Sequence, residues 1–104
     1  MRSITSNKDF NTLATGDKPF VIDFYADWCG PCQTLLPTVT KLAAEYEDKV
    51  EIVKVNIDDQ KELANHFQIR SIPTLFFMKN NKIVDKVLGL TTEHILRKKV
   101  DNLL

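Results

Sequence analysis

The stretch PFVIDFYADWCGPC, residues 19 to 32, joins the most apolar run of the chain to both of its cysteines and its only tryptophan. The run from 19 to 26 is rich in branched and aromatic side chains and follows the turn-forming TGDKP. It predicts a strand buried on both faces, which favours parallel pairing. WCGPC then falls at the carboxyl end of this strand, the edge at which open α/β sheets bind ligands.

The residues after the cysteines predict a long amphipathic helix that begins within WCGPC. Apolar side chains recur at helical spacing as far as Tyr46, and Pro31 suits the first turn. Cys29 is therefore expected at the helix start and Cys32 one turn inside, with Cα atoms about 5 Å apart, within reach of a disulfide. The unpaired amides and partial positive charge of a helix start favour a thiolate at Cys29. We expect an exposed Cys29 to attack as the nucleophile and Cys32 to resolve the mixed disulfide.

Length and composition argue against a structural role for this cysteine pair. The chain has 104 residues, 43% of them hydrophobic, and is long enough to form a core as one domain spanning residues 1–104. Closing so short a loop removes on the order of 2 kcal/mol of unfolded-state entropy, so a structural staple is the weaker alternative. The two histidines, His66 and His94, lack zinc-type spacing and are expected on helix surfaces, so no metal site is predicted.

Charge and hydropathy narrow the classes of partner. The chain carries 14 basic and 14 acidic residues with no long run of either sign, which argues against nucleic acid or an anionic membrane as a partner. No segment approaches the roughly 20 apolar residues of a membrane span, and the N-terminal residues lack the apolar core of a secretory signal. We expect a cytoplasmic protein, in a compartment where close cysteine pairs are more often catalytic or metal-binding than structural.

The remaining sequence predicts alternating strands and helices. Residues 50–57 indicate a second strong strand, and Asp59 with Glu62 resembles a capping pair that opens a helix through residue 67. Two further strands, 74–80 and 82–89, meet at Asn80 and Asn81, residues that tolerate the backbone of a tight antiparallel hairpin.

Both ends of the chain complete this pattern. A short strand at RSIT precedes a helix from about residue 7 to residue 15. From Thr91 onward the chain predicts a closing amphipathic helix with four apolar residues on or near one face: Ile95, Leu96, Val100 and Leu103. The fold class is therefore α/β, with a central mixed sheet of about five strands flanked by about four helices.

Several separate motifs together make the chain resemble the thioredoxin family. The resemblance covers nearly all 104 residues and rests on DFYADWCGPC (23–32), Pro37, VNID (55–58), IRSIPTLFFMKN (69–80) and Gly89. WCGPC alone is a fairly specific signal, and WCGPC followed by SIPT at 71–74 is very specific. The resemblance implies the thioredoxin fold and a protein disulfide reductase that performs dithiol–disulfide exchange.

The resemblance also implies proton-transfer roles for two charged residues. Asp23 corresponds to the family's buried carboxylate, which has a raised pKa and exchanges a proton with the inner cysteine, here Cys32. The alternatives are a satisfied strand carboxylate or a misplaced strand boundary. Lys54 corresponds to the lysine that neighbours and modulates this carboxylate, although a lysine in a strand is by itself more often an edge or surface residue.

A substrate-binding rim is implied beside the cysteines. Pro73 is similar to the family's cis proline, which packs against the cysteine pair and leaves the backbone of Ile72 free to bond an extended substrate. Taken alone, Pro73 would be a trans proline that opens a strand, and a lone tryptophan would more often belong to a core. The implied rim is flat and mostly apolar, and it consists of Trp28, Gly30, Pro31, Ile72, Pro73 and Gly89.

The expected partners follow from the same resemblance. No phosphate-binding glycine loop is present, so no bound cofactor is expected beyond the reversible Cys29–Cys32 disulfide, and NADPH and FAD belong to a partner thioredoxin reductase. Disulfide-containing proteins are the expected substrates of a monomer. A thiol donor dedicated to one enzyme and a redox-gated, non-catalytic binding subunit are the alternatives. Gln33 replaces a common lysine and Tyr25 a common second tryptophan, which leaves partner preference open.

Overall fold

The computed structural model describes residues 1–104 and contains five strands and four helices. In chain order these are β1 (Arg2–Ser3), α1 (Asn7–Thr15), β2 (Phe20–Tyr25), α2 (Gly30–Tyr46), β3 (Glu51–Asn56), α3 (Lys61–His66), β4 (Thr74–Lys79), β5 (Lys82–Leu88) and α4 (Glu93–Asp101). No helix has both the length and the apolar character needed to cross a membrane.

The five strands form one mixed sheet in the order β1-β3-β2-β4-β5. Strands β1, β3 and β2 run parallel, whereas β4 is antiparallel to β2 and β5 is antiparallel to β4. The predicted fold class is confirmed. The predicted parallel pairing of β2 is confirmed for its neighbour β3. Its other neighbour, β4, is antiparallel to it.

Strand β2 is buried on both faces because a separate apolar cluster covers each face of the sheet. Val21 packs with Leu35 of α2 and Leu96 of α4, whereas Ile22 packs with residues of α1 and α3. Side chains alternate along a strand, so Asp23 lies on the same face as Val21, the face that α2 covers. The pattern of β2 thus places a carboxyl group beneath the helix that begins at the cysteines.

The hairpin between β4 and β5 forms at the predicted residues. Asn80 and Asn81 have φ angles of 54° and 59°, the left-handed conformation that a two-residue hairpin turn requires and that asparagine tolerates. The ladder shifts register between Phe77 and Met78, so this edge of the sheet is irregular. The irregularity lies at the end of the hairpin remote from Gly89.

The predicted cap of α3 is wrong. The helix begins at Lys61 with Gln60 at its N-cap, which makes no side-chain capping bond, and Asp59 lies outside it. The cause is the turn after β3, in which the backbone oxygen of Asn56 accepts a hydrogen bond from the Gln60 amide at 2.9 Å. The Asn56 side chain also accepts from the Asp58 amide at 2.9 Å, so the chain completes a turn before the helix starts.

The predicted apolar face of α4 is wrong at one position. Leu96, Val100 and Leu103 are buried, but Ile95 is 43% exposed. Consecutive residues are separated by about 100° around a helix, so the burial of Leu96 turns Ile95 away from the sheet. His66 and His94 are exposed, as predicted, on α3 and α4.

Candidate active site

The two cysteines lie at the start of α2, as predicted. Cys29 is the N-cap residue, and Cys32 lies in the first turn together with Pro31. The cysteines form a disulfide with their Cα atoms 5.3 Å apart. The Cys32 amide donates a hydrogen bond to the Cys29 Sγ at 3.2 Å, so this sulfur satisfies one of the free amides of the helix start. The same amide can stabilise negative charge on Cys29 when the disulfide opens.

The predicted exposure of Cys29 is wrong for the disulfide form. Cys29 is only 5% exposed, because its sulfur packs with Cys32 and Ala26 in a small apolar cluster. Tyr25 and Ile72 pack against the edge of this cluster. The surface around the disulfide is therefore more accessible than Cys29 itself.

The loop before β4 lies directly beside the cysteine pair. The peptide bond between Ile72 and Pro73 is cis, and the backbone oxygen of Ile72 lies 3.8 Å from the Cys29 Sγ. The Gly89 amide donates a hydrogen bond to the Pro73 oxygen at 2.8 Å. Gly89 has a φ of 81°, the left-handed region that favours glycine. This bond holds the end of β5 against the same loop.

Trp28 lies on the surface next to Cys29 rather than in a core. It is 70% exposed, and its indole N–H donates a hydrogen bond to Asp58 Oδ2 at 2.8 Å. Asp58 was not predicted as a site residue. A signal was present, because β2 and β3 are adjacent parallel strands whose carboxyl ends meet at one edge of the sheet. Residues that follow those two ends, such as Trp28 and Asp58, are therefore neighbours.

The structure brings all six predicted rim residues to one edge of the sheet. Trp28, Gly30 and Pro31 are exposed, Ile72 and Gly89 are half-buried, and Pro73 is buried. Two further apolar side chains, Leu88 and Leu90, flank Gly89 and are each more than half exposed. These two leucines were not predicted as site residues, because the apolar pattern at the end of a strand does not reveal which neighbours cover it.

A buried carboxyl group lies beneath the helix. Asp23 is 2% exposed, and its Oδ1 atom has no hydrogen-bond partner. Burial raises the pKa of Asp23 from its ordinary value of 3.8 to about 7, although the positive charge of Lys54 acts in the opposite direction. The carboxyl group therefore changes protonation near neutral pH.

Lys54 lies beside this carboxyl group on an inner strand of the sheet. It is opposite Asp23 in the register of β2 and β3, and β3 is itself flanked by β1. The Lys54 Nζ lies 5.5 Å from the centroid of the Tyr25 ring. Lys54 is half-buried, so the alternative of a freely solvated edge lysine does not describe it.

Comparisons with known proteins point to one family. The family model described as Thioredoxin matches residues 2–102. The thioredoxin of Chlorobaculum thiosulfatiphilum is 40% identical over 97 residues, which span 92% of this chain and 90% of that protein. The X-ray structure of Fasciola hepatica thioredoxin aligns over 100% of both chains with a TM-score of 0.90 at 34% identity. Malassezia sympodialis thioredoxin aligns over 99% of this chain and 90% of its own, with a TM-score of 0.91 at 36% identity.

The site and the comparisons agree on the chemistry. Two cysteines at disulfide distance on a helix start can pass between dithiol and disulfide with little backbone movement. Thioredoxins are protein disulfide oxidoreductases, and the relatives match this chain over most of its length. The chain therefore belongs to the thioredoxin family and acts as a protein disulfide reductase.

Proposed function

We propose that this protein is a general disulfide reductase that acts on many extended protein segments and is returned to its dithiol form by a thioredoxin reductase. The observation that carries the proposal is the position of the cysteine pair. Cys29 caps a helix, and its Sγ lies 3.8 Å from the carbonyl oxygen of Ile72. A sulfur in that place can attack a disulfide whose backbone is bound by the neighbouring loop.

The first step is the attack of the Cys29 thiolate on one sulfur of the substrate disulfide. A bond forms between Cys29 Sγ and that sulfur while the substrate S–S bond breaks, and the departing thiolate takes a proton from solvent. The Cys32 amide, which contacts Cys29 Sγ at 3.2 Å, stabilises the attacking anion together with the helix start.

The second step resolves the mixed disulfide. The Cys32 thiol gives its proton to the Asp23 carboxylate, and the resulting thiolate attacks Cys29 Sγ. The remaining substrate sulfur leaves as a thiolate, so two electrons pass to the substrate and the Cys29–Cys32 disulfide forms. A pKa of about 7 and an unpartnered Oδ1 suit Asp23 to accept this proton, and Lys54 modulates that affinity.

Substrate binding relies on the backbone beside the cysteines. The Ile72 backbone is placed to hydrogen-bond an extended segment, and such main-chain contacts do not depend on the substrate's side chains. Trp28, Gly30, Pro31 and Gly89 form an apolar rim around it, with Pro73 beneath. This combination supports broad rather than narrow substrate choice.

The cycle is completed by a partner. A thioredoxin reductase that carries FAD and uses NADPH is proposed to return the disulfide to the dithiol, so this chain needs no bound cofactor of its own. We place the monomeric protein in the cytoplasm, because that compartment maintains the reduced thiol pool that such a cycle supplies.

Insulin reduction coupled to a thioredoxin reductase and NADPH tests the proposal directly. The wild-type protein is expected to cleave insulin disulfides with NADPH consumption, whereas Cys29→Ser lacks the nucleophile and falls to background. Wild-type activity no greater than that of Cys29→Ser would overturn the proposed function.

A trapping experiment assigns the two sulfurs and measures the breadth of substrate choice. Cys32→Ser cannot resolve the intermediate and is expected to accumulate mixed disulfides through Cys29 with many proteins. The matched control, with both cysteines changed to serine, captures none. Capture through Cys32 in a Cys29→Ser variant would reverse the assignment, and capture of a single enzyme would indicate a dedicated thiol donor.

A further inference from the structure

Tyr25 has no part in the cycle described above, yet it contacts two of its components. It ends β2 and is half-buried, and its ring packs against the cluster that contains Cys29 and Cys32. The Lys54 Nζ lies 5.5 Å from the ring centroid, within the roughly 6 Å over which a cation is attracted to an aromatic face. One ring therefore touches both the disulfide cluster and the cation beside Asp23.

The register of the sheet explains why these groups meet. Lys54 lies opposite Asp23, and Tyr25 follows Asp23 by two residues. Because side chains alternate along a strand, the three side chains share the face of the sheet that α2 covers. The long lysine side chain has many rotamers, and the ring favours those that keep its ammonium group on this face.

We propose that Tyr25 is a positioning residue for proton transfer. Its ring holds the Lys54 ammonium group near the Asp23 carboxyl group, and it thereby helps to set the pH at which Cys32 can be deprotonated. The inference rests on the proposed function of Asp23, and it assigns Tyr25 an effect that acts through Lys54 rather than through direct contact with the substrate.

The surroundings identify Lys54 as the group through which Tyr25 acts. The charge that acts on Asp23 is that of Lys54. On β4, the residue opposite Asp23 is the apolar Leu75. Burial raises the pKa of the Tyr25 hydroxyl, the negative charges of Asp27, Asp59 and Asp23 act in the same direction, and Asn56 acts in the opposite one. The titratable and charged groups that face this part of the sheet are Asp23, Asp27, Asp59, Lys54, Tyr25 itself and, from α2, the cysteines in their reduced form.

The sign of the effect separates positioning from simple space-filling. If the ring is removed, the Lys54 ammonium group moves towards solvent, the Asp23 anion loses a neighbouring positive charge, and the pKa of Asp23 rises. If the ring only excludes water, its removal hydrates the carboxyl group and the pKa falls. Tyr25→Phe keeps the ring and loses only the hydroxyl, so it should behave as the wild type.

The test is a carbon-detected NMR titration of the Asp23 carboxyl group in the oxidised protein, where no thiol titrates. Tyr25→Leu is expected to raise the pKa of Asp23 by about half a pH unit, a threefold change in proton affinity. In a Lys54→Met background the same substitution should have no effect, and Tyr25→Phe should have none in either background. Tyr25→Met provides a second variant without a ring if the leucine variant is poorly folded.

A matched control exists at the C-terminal end of α2, remote from the cysteines. The guanidinium carbon of Arg97 lies 5.9 Å from the centroid of the Tyr46 ring, so Tyr46→Leu removes a similar contact and should leave the Asp23 titration unchanged. A downward shift in Tyr25→Leu, no shift, or an equal shift in the Lys54→Met background would overturn the proposal. The titration does not measure disulfide reduction, so its failure is distinguishable from the failure of the proposed function in the insulin assay.

Discussion

Two carboxyl groups on the same side of the sheet have opposite environments. Asp23, in the middle of the sheet, is buried, has an unpartnered oxygen and has a pKa raised to about 7. Asp85, on the edge strand β5, contacts Lys99 of α4 at 2.6 Å, and this hydrogen bond holds the pKa of Asp85 below its usual range. The site thus keeps a carboxyl group that is costly to ionise, whereas the surface around α4 pairs its charges.

The surface around α4 contains further ion pairs like that of Asp85 and Lys99. Arg97 contacts Glu45 at 2.6 Å and Glu93 at 3.1 Å, and Lys41 also contacts Glu93 at 3.1 Å. Water screens exposed ion pairs, so these pairs stabilise the packing of α2 against α4 only modestly. Substitutions that remove a charge should therefore have opposite effects in the two regions.

Asp23→Asn should change the free energy of unfolding more than any other substitution considered, by increasing it. A folded-state pKa of about 7 against an unfolded value of 3.8 means that the unfolded chain releases the proton first, so stability is lost as the pH rises between these values. The cost at about pH 8 is up to about 4 kcal/mol. Urea unfolding of the oxidised protein should show wild-type stability falling from about pH 4 to pH 8 and no such fall in Asp23→Asn.

The slope rather than the absolute stability is the decisive readout in that experiment. A buried amide has its own desolvation cost, which is the same at every pH and shifts the whole curve of the variant. If the free energy of unfolding depends on pH in the same way in Asp23→Asn and the wild type, Asp23 has an ordinary pKa in the folded protein. The proposed difference between Asp23 and Asp85 would then be wrong.

A smaller effect is expected at the start of α4. The Thr92 hydroxyl oxygen accepts a hydrogen bond from the Ile95 amide at 3.2 Å, so Thr92→Ala should reduce the free energy of unfolding by about 1 kcal/mol. Thr91→Ala is the matched control, because Thr91 precedes the cap and should change stability by less than about 0.5 kcal/mol. Insulin reduction should be unchanged in both variants. A loss of activity in Thr92→Ala would show that the start of α4 is coupled to the active site.

The hydrogen bond between Trp28 and Asp58 tests the exposed part of the site. Asp58→Ala removes the acceptor of the indole N–H and should lower kcat/KM for insulin reduction by about threefold, because Trp28 becomes free to move. Asp58→Asn keeps an acceptor oxygen and should retain most of the activity. Equal losses in the two variants would assign the effect to the charge of Asp58 rather than to the orientation of Trp28.

The sequence predicts the fold and the placement of the cysteines well because both depend on local patterns. Burial of β2 follows from the run between residues 19 and 26, and the hairpin follows from two asparagines. Cys29 at the N-cap follows from Pro31 and the helical spacing after it. Each of these features is determined within a few residues of chain.

Features that depend on distant contacts are predicted poorly. Asp58 lies 30 residues from Trp28, and no periodicity marks an exposed hydrogen bond. The cap of α3 depends on how Asn56 closes the preceding turn, and the burial of Cys29 depends on a disulfide packed against Ile72. The partners of Trp28 and Cys29 become neighbours only after the sheet has formed, whereas the cap of α3 is decided locally, by the side chain that closes the turn before it.

The ion pair between Asp85 and Lys99 should contribute the least to stability. Asp85→Asn removes the negative partner of Lys99 and should reduce the free energy of unfolding by about 0.5 kcal/mol at neutral pH. Because the pKa of Asp85 is lowered in the folded protein, this contribution is present above the unfolded value and disappears as the pH falls through the folded one. Urea unfolding should therefore show the wild type losing its advantage in acid, the reverse of the slope that Asp23 produces. Lys99→Met should show the same loss of stability at neutral pH. A gain in stability in Asp85→Asn would mean that the desolvation of the two charges outweighs their attraction.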